Sequence, residues 1–178
     1  MRTRVFTPLV AIVLLLVGSF SWSAARAGSE LQAKVEQARA QFIERDPSLE
    51  RLFQGSYGYV LFPRVKKGAI GIGGAHGKGL AYRGGRKVAR ASLSQATVGF
   101  QLGGKVYSEV IFFKDADAFG DFTGGDFELS AQASAVAAAE GVAANARYRH
   151  GVAIFTMSQG GLMYEASVGG QKFTYDPL

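Results

Sequence analysis

From Gly55 to the C-terminus, short runs of β-branched and aromatic residues are broken by glycine and other turn residues about every eight to twelve positions. That spacing is the signature of an antiparallel β domain. It predicts strands at Tyr57–Phe62, Ala69–Gly74, Gly77–Tyr82, Lys87–Leu93, Ala96–Leu102, Val106–Phe113, Phe127–Ser134, Val152–Met157, Leu162–Ser167 and Gln171–Tyr175. Arg83-Gly84-Gly85-Arg86 and Gln159-Gly160-Gly161 read as hairpin turns by composition. Asp115 is placed to cap a short helix reaching about Phe119. The alanine-rich span Ala131–Ala146 reads both ways: propensity favours helix, whereas the alternation of Leu129, Ala131 and Ala133 favours strand for its first part.

Ahead of the β region the pattern is helical. Ser29 followed by Gln32 fits a capping box, and Leu31, Val35, Ala38 and Phe42 recur at helical spacing up to Asp46-Pro47. Asp46 can cap a second short helix that starts with Pro47 and buries Leu49, Leu52 and Phe53. The first 27 residues read as a targeting segment, with Arg2 and Arg4 leading, an apolar run from Leu9 to Val17, and Ala25-Arg26-Ala27 as a cleavage signature. This makes residues 1–27 a signal peptide and residues 28–178 a single domain, exported to the periplasm or secreted. Retention of the segment as an anchor is the alternative, although its apolar run is short against the roughly 20 residues of a membrane helix. With no cysteine in the chain, disulfides, thiolate metal sites and cysteine nucleophiles are excluded, so stability must come from packing. The expected fold is α+β: N-terminal helices packed on a curved, largely antiparallel sheet, barrel-like if its edges meet.

Loss of Arg2, Arg4 and Arg26 would lower the formal net charge from +6 to +3, so bulk charge says little and its distribution says more. Between Arg51 and Ser108 there is no acid, yet ten basic residues occur; between Glu109 and Glu140 seven acids accompany Lys114 alone. A domain polarised in this way would present a one-sided field to anionic membranes or polyanions. Arg64, Lys66 and Lys67 directly follow an apolar strand, and Lys78, Arg83, Arg86 and Lys87 lie in and around the next hairpin. If the two basic loops share one end of the sheet, these seven residues form a cationic site for phosphate head groups; otherwise they are a solvated surface. Nucleic acid would use the same charges, but an export signal argues against it and no nucleic-acid motif accompanies them.

Several catalytic patterns fail on inspection. The stretch from Gly68 to Gly79 is glycine-rich, but a P-loop would need glycine at Ile72 and a hydroxyl at Gly79, and a dinucleotide fingerprint would need a small residue at His76. These glycines instead suit strands that bend sharply or approach another backbone closely. His76 and His150 stand at no ligand-like spacing with other donors and read as exposed turn residues, so no metal or cofactor is expected. A G-x-S-x-G elbow is absent, and Asp115 and Asp117 look like helix-start charges, which leaves no catalytic constellation.

The string from Tyr57 to Gly68 (YGYVLFPRVKKG), running on into GIGGAHGKG, with Ala96–Gly104 (ATVGFQLGG) and the closing stretches His150–Phe155 and Ala166–Gly170, resembles the SYLF (Ysc84-like) domain family. The resemblance covers nearly all of the chain from about Leu31. It implies phospholipid binding, with phosphoinositides as the ligands of eukaryotic members and with an N-terminal amphipathic helix taking part. Here that helix offers Lys34, Arg39 and Arg45 but also Glu30, Glu36 and Glu44, so its polar face is not strongly cationic. Generic anionic phospholipid, bound without catalysis through the basic loops, is therefore the expected ligand class for an exported member. A protein partner in the cell envelope is the alternative.

Overall fold

The structure is a computed structural model that describes residues 9–70, 72–98, 103–124, 136–137, 148–158, 161–164 and 171–178. Its elements run α1 (Leu9–Arg45), α2 (Leu49–Gly55), β1 (Gly58–Ile70), β2 (Ile72–Arg83), β3 (Arg86–Val98), β4 (Gly103–Phe113), α3 (Ala116–Gly124), β5 (Val136–Ala137), β6 (Val152–Ser158), β7 (Gly161–Tyr164) and β8 (Gln171–Pro177). The strands form one sheet in the order β5-β7-β6-β4-β1-β2-β3-β8, antiparallel at each pairing. The α+β expectation holds.

Both faces of the sheet are covered, so its central strands bury side chains in both directions. On one face Tyr59, Leu61, Leu80, Val110, Phe112 and Phe155 meet Val35, Ala38 and Phe42 of α1 and Leu49 and Phe53 of α2. On the other, Val60, Phe62, Val65, Leu93, Ile111, Phe113 and Phe173 enclose Ala118, Phe119 and Phe122 of α3. Asp115 starts α3 as the sequence predicts, its carboxylate accepting from the Ala118 amide at 3.0 Å. The helix extends to Gly124, beyond Phe119, because Phe122 is drawn into the core.

The sheet is strongly curled about α3. Strands β4 and β8 are four places apart in the order, about 19 Å if the sheet were flat. Even so, the Gln171 amide on β8 donates to the buried Glu109 carboxylate on β4 at 3.2 Å, and Phe62 on β1 lies 5.9 Å from Phe173 on β8. Gly79 permits close packing at the bend: a Cβ there would sit 2.5 Å from the Leu61 carbonyl oxygen and 2.7 Å from the Phe62 ring. Barrel closure does not occur, since among the described residues β5 pairs with β7, β8 pairs with β3, and the two edges do not join.

Five of the predicted strands fall into three longer ones; among them, Ala69–Gly74 is divided between the end of β1 and the start of β2, whose residues pair with each other. Pro63 reads as the end of a strand, but β1 passes through it at a bulge, where the register shifts between Leu61 and Arg64 and the missing proline N–H costs no ladder bond. Arg64 to Gly68 are therefore strand, not loop, and the β1–β2 turn lies beyond Ile70. Likewise β3 runs through Ser94-Gln95, which sequence reading leaves between two strands. The Arg83–Arg86 hairpin is as predicted, with Gly84 and Gly85 at φ +56° and +74°, values that glycine tolerates in a two-residue turn.

Ser29 does not cap a helix. It sits inside α1, its hydroxyl donating to the Arg26 carbonyl at 2.8 Å, because no helix-breaking signal stops the turns before it. Asp46 is buried after the end of α1 and accepts from the Ser48 amide at 2.9 Å and the Ser48 hydroxyl at 2.6 Å. This local turn starts α2 at Leu49, not at Pro47. The predicted strand Phe127–Ser134, the Ala131–Ala146 span apart from Val136–Ala137, and the turn residues Gln159 and Gly160 lie outside the described residues.

Candidate functional site

Strand pleating sorts the basic residues by face. Arg64 pairs with Lys78 and Lys66 with His76 across β1 and β2, and all four side chains are exposed on the face that also carries α1. The same rows continue through Ser92 and Ser94 on β3 to Thr174 and the exposed Lys172 on β8. Val106 on β4, partnered with Lys66, adds an apolar side chain that is 48% exposed. Like charges directly opposite each other in an antiparallel pair are destabilising, so packing does not account for Arg64 facing Lys78. No acidic residue occupies a register position in these two rows among the described residues; Asp176 stands one row further, opposite Arg90. The arrangement is a cationic strip on a rigid sheet.

The strip brings together Arg64, Lys66 and Lys78, three of the seven residues expected to form the site. Lys67 points to the opposite face, where its cross-strand partner is Lys105. Arg83 ends β2 and Arg86 and Lys87 begin β3, with Arg83 five residues from Lys78 or about 17 Å along the strand. The two basic segments therefore do not converge, and neither Arg64–Lys67 nor Lys78 is in a loop. Lys87 also turns inward to α1, its ammonium donating to Gln32 Oε1 at 2.8 Å. Sequence reading missed Lys172, which lies far from the acid-free stretch and joins the strip only through the β3–β8 pairing.

A second concave feature lies at the hairpin end. A cleft of about 480 Å³ opens between α1, α2 and the Gly84-Gly85 turn, lined by Glu36, Arg39, Phe53, Gln54, Tyr59 and Tyr82. Tyr59 and Tyr82 stack at 4.8 Å between ring centroids and 11° between planes. Phe53 stands edge-on to Tyr59 at 5.1 Å. The Arg39 guanidinium covers the Phe53 ring at 4.9 Å and pairs loosely with Glu50 at 3.8 Å. Burial pushes the Tyr82 phenol up to about 12, with Tyr59 and Glu36 adding to the shift and Arg39 opposing it. Burial likewise raises Tyr59, opposed by Arg39.

Both histidines are exposed, as expected, but only His150 is in a turn, at φ +48°; His76 is within β2. The described residues contain no group of three or more His, Asp or Glu able to hold a metal ion.

Residues 94–177 match the family described as Ysc84, Las17-binding protein actin regulator. The chain is also 28% identical, over 149 residues, to Beta cell expansion factor A of Aeromonas veronii. That alignment takes in 82% of this chain and 56% of the relative, so the chain spans little more than half of that protein's length. The family match includes Lys172 and begins after Arg64, Lys66, His76 and Lys78. From within β3 to β8, therefore, this chain is similar to the Ysc84 family.

Proposed function

We propose that this protein binds anionic phospholipid at a membrane surface, without catalysis, through the cationic strip of Arg64, Lys66, Lys78 and Lys172. The observation that carries the reading is the alignment of these exposed side chains, with His76 among them, on one face of β1, β2 and β8 in two rows that hold no acid among the described residues. Spacing is set by the strands, at about 4.8 Å between neighbours and roughly 6.6 Å along each strand. Phosphate groups can be met there without first ordering a loop. Export fits this role: removal of residues 1–27 would leave the part of α1 that carries Val35, Ala38 and Phe42, its contacts to the core.

A basic residue near an anionic surface contributes about 1 kcal/mol, so neutralising all four should lower vesicle partitioning by about three orders of magnitude. The test is co-sedimentation of the purified protein with neutral and anionic vesicles at two salt concentrations. Beside it would run an Arg64→Gln/Lys66→Gln/Lys78→Gln/Lys172→Gln variant and an Arg83→Gln/Arg86→Gln/Lys87→Gln variant. Salt-sensitive binding to anionic vesicles alone, lost in the strip variant and mostly kept in the hairpin variant, supports the reading. Failure to bind anionic vesicles at low salt overturns it. The exposed Val106 beside Lys66 favours a second reading, an envelope protein partner, for which binding would depend on Val106 and be insensitive to salt.

A further inference from the structure

We infer that the cleft between α1, α2 and the Gly84-Gly85 turn is a binding site for a neutral polyhydroxylated ring, that is, a sugar. This site is separate from the cationic strip. Its volume of about 480 Å³ falls in the range of small-molecule sites, roughly 300–1,000 Å³. Its polar equipment is unusual for a surface recess. The stacked Tyr59 and Tyr82 both line the cleft, and their hydroxyls make no hydrogen bond to the described residues. Each is free to donate and to accept.

Around them stand one carboxylate (Glu36), one guanidinium (Arg39) and one amide (Gln54), planar groups that can each engage two neighbouring hydroxyls. Arg39 stands between Glu36 in the lining and Glu50 at 3.8 Å, so an anion would meet carboxylates beside the guanidinium and a cation would meet the guanidinium beside the carboxylates. An acyl chain would strip water from five polar groups and return no hydrogen bond, which is costly. Phe53 and Tyr59 are buried beneath the cleft, and the partly exposed Tyr82 still asks for an apolar ligand surface. A sugar ring meets all of these demands, with a C–H face for Tyr82 and hydroxyls at its edge.

The test is a ¹H–¹⁵N NMR titration of the purified protein with N-acetylglucosamine, its β1,4-linked dimer, maltose, cellobiose and lactose. Uracil and free tryptophan serve as planar aromatic probes. Saturable shifts of the Arg39, Tyr82, Gly84 and Gly85 amides are expected with at least one saccharide, with Kd of order 1 mM. Tyr82→Phe and Glu36→Gln should each weaken that binding by roughly five-fold, the worth of one hydrogen bond. Tyr82→Phe removes a hydroxyl with no partner among the described residues, so its spectrum away from the cleft should be unchanged. Vesicle co-sedimentation should be unaffected in both variants, which keeps this result independent of the strip. The inference is overturned if no saccharide gives saturable shifts up to roughly 50 mM. It is overturned equally if both variants leave the shifts intact, or if the aromatic probes bind and the sugars do not.

Discussion

Replacing Gly79 with alanine should destabilise the protein more than its single added methyl group suggests. The new Cβ would lie 2.5 Å from the Leu61 carbonyl oxygen, 2.7 Å from the Phe62 ring and 3.0 Å from the Leu61 carbonyl carbon. Two of these three contacts are backbone atoms of β1, and no rotamer change relieves them. An ordinary contact begins near 3.4 Å, so the strands would have to part locally by about 0.9 Å at a point where the sheet is bending round α3. Overpacking of a core costs about 1–3 kcal/mol, and a weakened ladder bond about 1 kcal/mol more, which puts the loss near 3 kcal/mol. For a chain of this length each kcal/mol shifts Tm by about 2–4 °C, giving an expected fall of roughly 6–12 °C. Gly120→Ala is the internal control. It lies inside α3, where a Cβ meets nothing within 4 Å, and alanine there should raise stability by about 0.5–1 kcal/mol. Thermal and urea denaturation followed by circular dichroism would measure both. A Gly79→Ala protein within about 2 °C of wild type would refute the argument that close strand approach at this glycine sustains the curl.

Lys66→Gln should weaken binding to anionic vesicles by about 1 kcal/mol, or roughly five-fold, whereas Lys67→Gln, on the opposite face, should have a much smaller effect in the same co-sedimentation assay. The Tyr82 phenol is raised in the folded state to about 12 from an ordinary 10.0, so between those values the unfolded chain releases the proton first and stability falls as pH rises. That loss should be smaller in Tyr82→Phe, as read from urea midpoints of the two proteins across the same pH range. Asp46→Ala removes the acceptor for both the Ser48 amide and the Ser48 hydroxyl and should cost about 1–2 kcal/mol, seen as a lower urea midpoint.

The strip proposed to bind vesicles and the cleft proposed to bind a sugar lie at different ends of the sheet, on the face that carries α1. The two can therefore be tested one at a time. A protein with both properties would hold a lipid surface and a glycan on a single rigid scaffold, and its two sets of variants should leave each other's activity intact.

Much of this protein is legible in the sequence because the signals are local. Alternating apolar residues, the Gly84-Gly85 turn, the Asp115 cap and the helical spacing of Val35, Ala38 and Phe42 each act over a few residues, and each appears where it is predicted. The acid-free basic stretch is equally plain, since charge segregation along the chain needs no structure to be seen. Side-chain direction is another matter. A strand has a period of two residues, so Arg64 and Lys66 share a face, but the bulge at Pro63 decides which face of the sheet that is. Lys172 enters the strip through a pairing between strands distant in sequence, and the cleft is lined jointly by α1, α2, the Gly84-Gly85 turn and stacked tyrosines from β1 and β2. Composition and periodicity alone thus set the class of fold and the excess of cations. Only the register and curl of the sheet decided which cations stand together, because those depend on contacts that close over long stretches of chain.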